Sequence, residues 1–295
     1  MTASYTQCNP DEPEVPEGGF CENFDESTLK YFDPVLKRNG ETGKRYSHGI
    51  DSPSEVGTKI MMIRIDPDDR AGPEHGSEIV SKSVTHFGAY AVRLKLPDVV
   101  NTQPNVGAVV GCYTYQLISA TERSEIDIEW LLADPKFIYI GAWTGSIAYD
   151  KMQGICRIIN LATGKIYSTT YRTGINGARH PLTGKQNQPE KIQPVENYNA
   201  AAQFYTYGFD WHERSITWWI EDPTSKAKKK IVLWKYEGST PVQNFTGIPQ
   251  NPVHYALNFW HTNNWPVETN QNSVEKPFEH YGVEIDWMSY TPFSK

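Results

Sequence analysis

The sequence predicts an all-β protein, a sandwich of two antiparallel sheets, and three observations carry the prediction. Aromatic residues make up 13% of the 295 residues, with nine Trp and seventeen Tyr. Apolar side chains recur in short runs, alternating or unbroken, that Gly, Pro, Asn and Asp divide. Apolar stripes at helical spacing are scarce, so nothing suggests helices between the runs.

Taken in order, residues 1–30 are polar and Pro-rich at first and read as an arm that wraps the body. Lys59–Ile65 is a nearly unbroken apolar strand, whereas in Tyr90–Leu96 Arg93 and Lys95 alternate with Val92, Leu94 and Leu96 as on a half-buried antiparallel strand. Gly107–Tyr115, Ile126–Leu131 and Phe137–Trp143 follow as closely spaced strands. Phe204–Trp211, Ser215–Glu221 and Ile231–Trp234 form a second group, and His254–Trp260 and Val283–Tyr290 complete the set. Strands in this number, with no helical spacers, fit two packed sheets. Between the groups, residues 172–199 lack aliphatic periodicity, and a loop of that length inside a compact domain is usually functional or disordered. No linker or internal repeat divides the chain, so residues 1–295 are expected to form a single domain.

Composition excludes several classes of function. The net charge of −7 and the absence of a basic face argue against nucleic acid. The one dense basic run, Lys226–Lys230, lies between two strands and reads as a solvated hairpin tip. No apolar run approaches the roughly 20 residues of a membrane helix. Thr163-Gly-Lys165 and Thr183-Gly-Lys185 lack the upstream Gly of a phosphate loop. Four Cys without metal-type spacing suit an exported protein whose leader is not part of this sequence, and the chain is expected to be a monomer. Cys8 and Cys21 are close enough in sequence to staple the arm, and Cys112 and Cys156 are either a second bridge or free buried thiols. Asn244-Phe-Thr246 is a glycosylation sequon.

The stretch Ser124-Glu-Ile-Asp-Ile-Glu-Trp130 carries the chemistry. On a strand Glu125, Asp127 and Glu129 share one face, and Ile126 and Ile128 take the other. Three crowded carboxylates repel, which raises at least one pKa and spreads the titrations apart. Retaining glycoside hydrolysis needs that asymmetry: one carboxylate ionised as nucleophile, another protonated as general acid. Spacing leaves the roles open. Neighbouring carboxylates lie about 6.6 Å apart at Cα and the outer pair about 13 Å, against the roughly 5 Å carboxyl separation of retaining enzymes. A solvated surface and a calcium site are the competing readings, although Trp130 and the aromatic strands on either side exceed what a water-facing surface needs.

Glu125-Ile-Asp-Ile-Glu129 resembles the E-x-D-x-E signature of glycoside hydrolase family 16, and the resemblance extends over about residues 20–291. Phe87-Gly-Ala-Tyr90 with Val92–Leu96, Tyr207-Gly-Phe-Asp-Trp211 with Ile216–Ile220, Leu257-Asn-Phe-Trp260 with Trp265, and Ile285-Asp-Trp287 are similar to family strands in the same order. The resemblance implies a concanavalin A-like β-jelly roll with a concave substrate cleft. It implies Glu125 as nucleophile, Glu129 as general acid/base and Asp127 as their helper, with no cofactor required. It makes Tyr113, Tyr115, Trp130, Trp143, Trp260 and Trp265 candidates for stacking on sugar rings, and Asn258 a hydrogen-bonding partner for a hydroxyl. Asp286 falls where some members hold a structural calcium. The expected activity is that of a secreted, retaining endo-β-glycosidase on a polysaccharide, 1,3-1,4- or 1,3-β-glucan. Cell-wall transglycosylase, endo-β-galactanase and non-catalytic lectin are the rivals, and retention of all three acids argues against the lectin. Ala91 replaces a common Glu, Gly141 a common Asn, and the stretch 145–204 is long, departures that leave sugar and linkage open.

Overall fold

The computed structural model describes residues 8, 15–35, 46–65, 72, 75–100, 106–119, 122–145, 152–174, 176–238, 247–262 and 282–293. Within them the strands, in chain order, begin with β1 (Phe20–Glu22), β2 (Phe32–Pro34), β3 (Tyr46–Asp51), β4 (Lys59–Arg64), β5 (Ser77–Ser81) and β6 (Gly88–Lys95). Next come β7 (Ala108–Ser119), β8 (Glu122–Leu131), β9 (Phe137–Gly145), β10 (Gln153–Asn160), β11 (Lys165–Thr173) and β12 (His180–Pro181). The last are β13 (Tyr205–His212), β14 (Ser215–Glu221), β15 (Lys230–Glu237), β16 (His254–His261) and β17 (Gly282–Pro292).

These strands build two antiparallel sheets, as the alternating pattern predicts. One has nine strands in the order β12-β11-β10-β9-β8-β7-β16-β5-β2, and the other has eight in the order β15-β14-β13-β6-β17-β4-β3, with β1 also paired to β17. The acidic strand β8 is central in the nine-stranded sheet, hydrogen-bonded to β7 and β9 along its length. A central strand has its backbone polar groups satisfied on both sides, which makes it a rigid mount for side chains.

The core lies between the sheets. Ile126, Ile128 and Trp130 of β8 meet Tyr207, Trp218 and other aromatics of the opposite sheet in one buried cluster. Trp130 and Tyr207 pack edge to face with centroids 4.7 Å apart. Hydrogen bonds also join the sheets; among them, Trp218 Nε1–H donates to the Asp127 carbonyl at 3.1 Å, and the Tyr255 hydroxyl to the Ala91 carbonyl at 3.0 Å. The first pins the backbone beneath the acids to the second sheet.

Residues 172–199 differ from the expected unstructured loop. They begin on β11, add the short β12, and continue through a single 3-10 turn at Gly184–Asn187. Leu182, Ile192, Val195 and Tyr198 bury their side chains in the core. Arg157 fastens the segment. It is fully buried on β10, and its guanidinium donates to Thr169 Oγ1, the carbonyls of Pro189 and Leu233, and Asn187 Oδ1. Burial pulls its pKa down to about 9.

A disulfide joins Cys8 to Cys21 on β1, as the sequence suggests. Cys112 and Cys156 are both free thiols, which removes the second bridge. They lie on β7 and β10, three strands apart and so about 14 Å, and on opposite faces of the sheet. The Lys226–Lys230 run sits at the β14–β15 turn as expected, with Lys230 paired to Asp210 at 3.0 Å.

Candidate active site

Register arranges the site as three rungs across the outer face of the nine-stranded sheet. Glu125 stands between Tyr115 of β7 and Trp143 of β9, Asp127 between Tyr113 and Gly141, and Glu129 between Gly111 and Tyr139. Directly paired residues of an antiparallel sheet share a face, so the rungs extend outward to Asn258 on β16 beside Gly111, and to Cys156 and Gly154 on β10. Glycine or alanine flanks each acid at some point in its rung (Gly111, Gly141, Gly154, Ala256), and at Gly141 a Cβ would run into the Ile155 carbonyl. At Gly111 a Cβ would come within 2.6 Å of Asn258 Oδ1. A cavity of about 320 Å³ opens here, lined among others by Asp127, Glu129, Tyr139, Trp143, Cys156, Arg172 and Arg179.

The acids are electrostatically unequal. Burial, and then the charge of Glu125, push the pKa of Glu129 up to about 8, and Arg123 opposes the rise. Asp127 is raised well above the usual carboxylate range by burial and by its two acidic neighbours, and it is hydrogen-bonded to Glu125. Glu125 instead accepts a charge-assisted hydrogen bond from Arg123 Nε–H. One end of the row therefore sits beside a cation, Glu129 at the other end holds its proton at neutral pH, and burial and its neighbours favour the protonated form of Asp127 in the middle.

The expected sugar contacts divide. Tyr113, Tyr115, Trp143, Asn258 and Trp260 are on the face that carries the acids. Trp130 is not. It is fully buried in the core, because at one residue beyond Glu129 its side chain must point through the opposite face. Tyr113 is 8% exposed and donates its hydroxyl to Glu78, so it braces the sheet surface from below. Trp143 lies flat over Gly154, where a Cβ would run into its ring, and Arg172 stacks on it at 4.4 Å from the centroid. Trp260 packs with Val109, Leu131, Phe137 and Tyr139 farther along the same face. Trp265 and the Asn244 sequon lie outside the described residues.

Asp286, the candidate calcium ligand, lies on β17 beside Arg93. Its carboxylate is taken by the Arg93 guanidinium, which also bonds Glu55 at 2.8 Å. No cluster of three or more metal-binding side chains occurs among the described residues.

Sequence reading missed Arg123, Tyr139, Cys156, Arg172 and Arg179 at this site. Arg123 was accessible to it, since position i−2 on a strand shares the face of Glu125. The others are set by strand pairings that no local pattern encodes.

A β-glucanase of Paenibacillus polymyxa is 25% identical over 206 residues, which cover 70% of this chain and 59% of that protein. The chain is thus similar in sequence to a β-glucanase. Its fold matches those of solved glucanases over almost the whole chain. A crystal structure of a prokaryotic β-1,3-1,4-glucanase (lichenase) from a mouse hindgut metagenome superposes with a TM-score of 0.55 at 18% identity, covering 93% of this chain and 99% of the other. The Bacillus licheniformis β-glucanase gives a TM-score of 0.54 at 18% identity, with 93% and 98% covered. No family model matches the chain.

Proposed function

We propose that the chain is a secreted, retaining endo-β-glucanase that acts as a monomer on 1,3-1,4- or 1,3-β-glucan. One observation carries the reading: three acids on one cleft-facing strand of a glucanase fold, with Glu129 raised to about 8 and Glu125 paired to a cation. In the first step the Glu125 carboxylate attacks the anomeric carbon and forms an ester. The glycosidic C–O bond breaks, and Glu129 gives its proton to the departing oxygen. In the second step water attacks the same carbon, Glu129 takes the water proton, and the ester bond breaks to release Glu125 ionised. Two inversions retain the β configuration. Asp127, whose pKa burial raises and which is hydrogen-bonded to Glu125, holds the nucleophile between steps. The reaction uses carboxylates and water, and no step calls for a metal or cofactor. Asn258, Trp143 and Trp260 are the side chains offered to the sugar chain. The Cys8–Cys21 disulfide supports an oxidising compartment and hence secretion.

The test is Glu125→Gln, which removes the nucleophile and nearly preserves shape. Hydrolysis of mixed-linkage β-glucan is expected to drop by at least about 10⁴-fold, with the melting temperature kept within a few degrees. Wild-type turnover in this variant would refute the assignment. Product masses from lichenan, laminarin, xyloglucan, chitin–glucan and galactan then separate the glucanase from a galactanase, and products longer than the substrate would identify a transglycosylase.

A further inference from the structure

Arg123 precedes Glu125 by two residues on β8 and shares its face. Its Nε–H donates to Glu125 Oε2, and both side chains are largely withdrawn from water, 21% and 11% exposed. The guanidinium is braced in turn. It lies 5.4 Å from the Tyr115 ring centroid and 5.9 Å from that of Trp143, with Nη1 3.6 Å from Met152 Sδ. Tyr115 and Trp143 are the two strand neighbours of Glu125 itself. The residues flanking the carboxylate thus hold the cation that holds the carboxylate.

We propose that Arg123 is the positioning residue of Glu125, kept in place by Tyr115 and Trp143 acting as an aromatic clamp. The inference rests on the reading of Glu125 as nucleophile. An unrestrained glutamate in an open cleft samples several rotamers. Here one oxygen is fixed by a charge-assisted bond from Arg123, and the same carboxylate is also hydrogen-bonded to Asp127. Clamping the guanidinium between rings fixes a long side chain that otherwise has many conformers.

The charge acts differently on the two steps. During ester formation Glu125 loses negative charge, so the pairing with Arg123 stabilises the starting carboxylate and contributes by orientation. During ester hydrolysis the charge returns to Glu125 as the C–O bond breaks, and Arg123 stabilises that departure directly. Loss of Arg123 therefore slows the second step more than the first. Arg123 also favours the ionised form of Glu129, so its loss moves the Glu129 titration upward.

The experiment compares Arg123→Met, Arg123→Lys and Glu125→Gln on mixed-linkage β-glucan. Arg123→Met is expected to lower kcat about 100-fold with KM unchanged or lower. It should accumulate a covalent glycosyl adduct by intact-protein mass, and its alkaline limb should move to higher pH. Arg123→Lys restores the alkaline limb through its charge but recovers kcat only in part, because an ammonium does not reproduce the Nε–H approach. Wild-type kcat with no adduct in Arg123→Met overturns the proposal, as does an Arg123→Lys no better than Arg123→Met. If Arg123→Met does not fold by circular dichroism, Arg123→Lys decides: about a tenfold loss of kcat with an adduct supports the proposal, and unchanged kinetics overturn it. An active Glu125→Gln would instead show that the underlying assignment is wrong. An inactive Glu125→Gln beside a fully active Arg123→Met would sink the positioning role alone.

Discussion

Glu129 is the residue whose environment has the clearest consequence in solution. Burial and the nearby Glu125 charge keep it protonated up to about pH 8, where an ordinary glutamate would have ionised near 4.5. In its proposed role as general acid it must carry its proton, so kcat/KM should hold through neutral pH and fall as pH rises through about 8. The same shift is a cost to the fold. Between about 4.5 and about 8 the folded chain keeps a proton that the unfolded chain has released, so this group's contribution to stability declines across that window. Glu129→Gln should therefore melt close to wild type at pH 4.5 and a few degrees above it at pH 8, with turnover lost. A melting difference independent of pH would contradict this account. Trp130 shows the complementary lesson at the same scale. One step along the strand converts an apparent sugar platform into a core residue that no substrate reaches.

At the scale of elements, the segment after β11 is the distinctive feature. Arg157 reaches it from β10, Trp234 Nε1–H donates to the Gln186 carbonyl at 2.9 Å, and Lys235 N–H to the Gln188 carbonyl at 2.8 Å. These bonds fasten residues 184–189 to β15 and leave the first part of the segment, with Arg179, at the cavity. Deleting residues 176–179 should lengthen the range of oligosaccharides released while leaving the melting temperature within a few degrees. An unchanged product distribution, read by mass, would place the segment outside the substrate path. The strands most legible in the sequence were those with uninterrupted or strictly alternating apolar residues, such as β4, β6, β8 and β16. β10 and β11 were not, for identifiable reasons. Arg157 occupies a buried position in one, and Ser168, Thr169 and Thr170 dilute the other. A buried arginine satisfied by carbonyls and a side-chain amide looks, in sequence, like an exposed one.

For the whole molecule, the arm is tied to the body by the Cys8–Cys21 bridge and by β1 pairing with β17. Thiol titration should find two reactive cysteines in the unfolded, unreduced protein and four after reduction, and reduction should lower stability by about 2–3 kcal/mol. Four thiols before reduction would exclude the bridge. By itself the sequence determined the two-sheet architecture and the shared face of Glu125, Asp127 and Glu129, because a strand's alternation is a local property of the backbone. Only the tertiary structure decided which acid meets a cation and which is left to hold a proton. It also decided which aromatics line the cleft and that Cys112 and Cys156 stay apart. Those outcomes depend on which strands become neighbours, in what register and how deeply they are buried, and both pairing and desolvation belong to the folded chain as a whole.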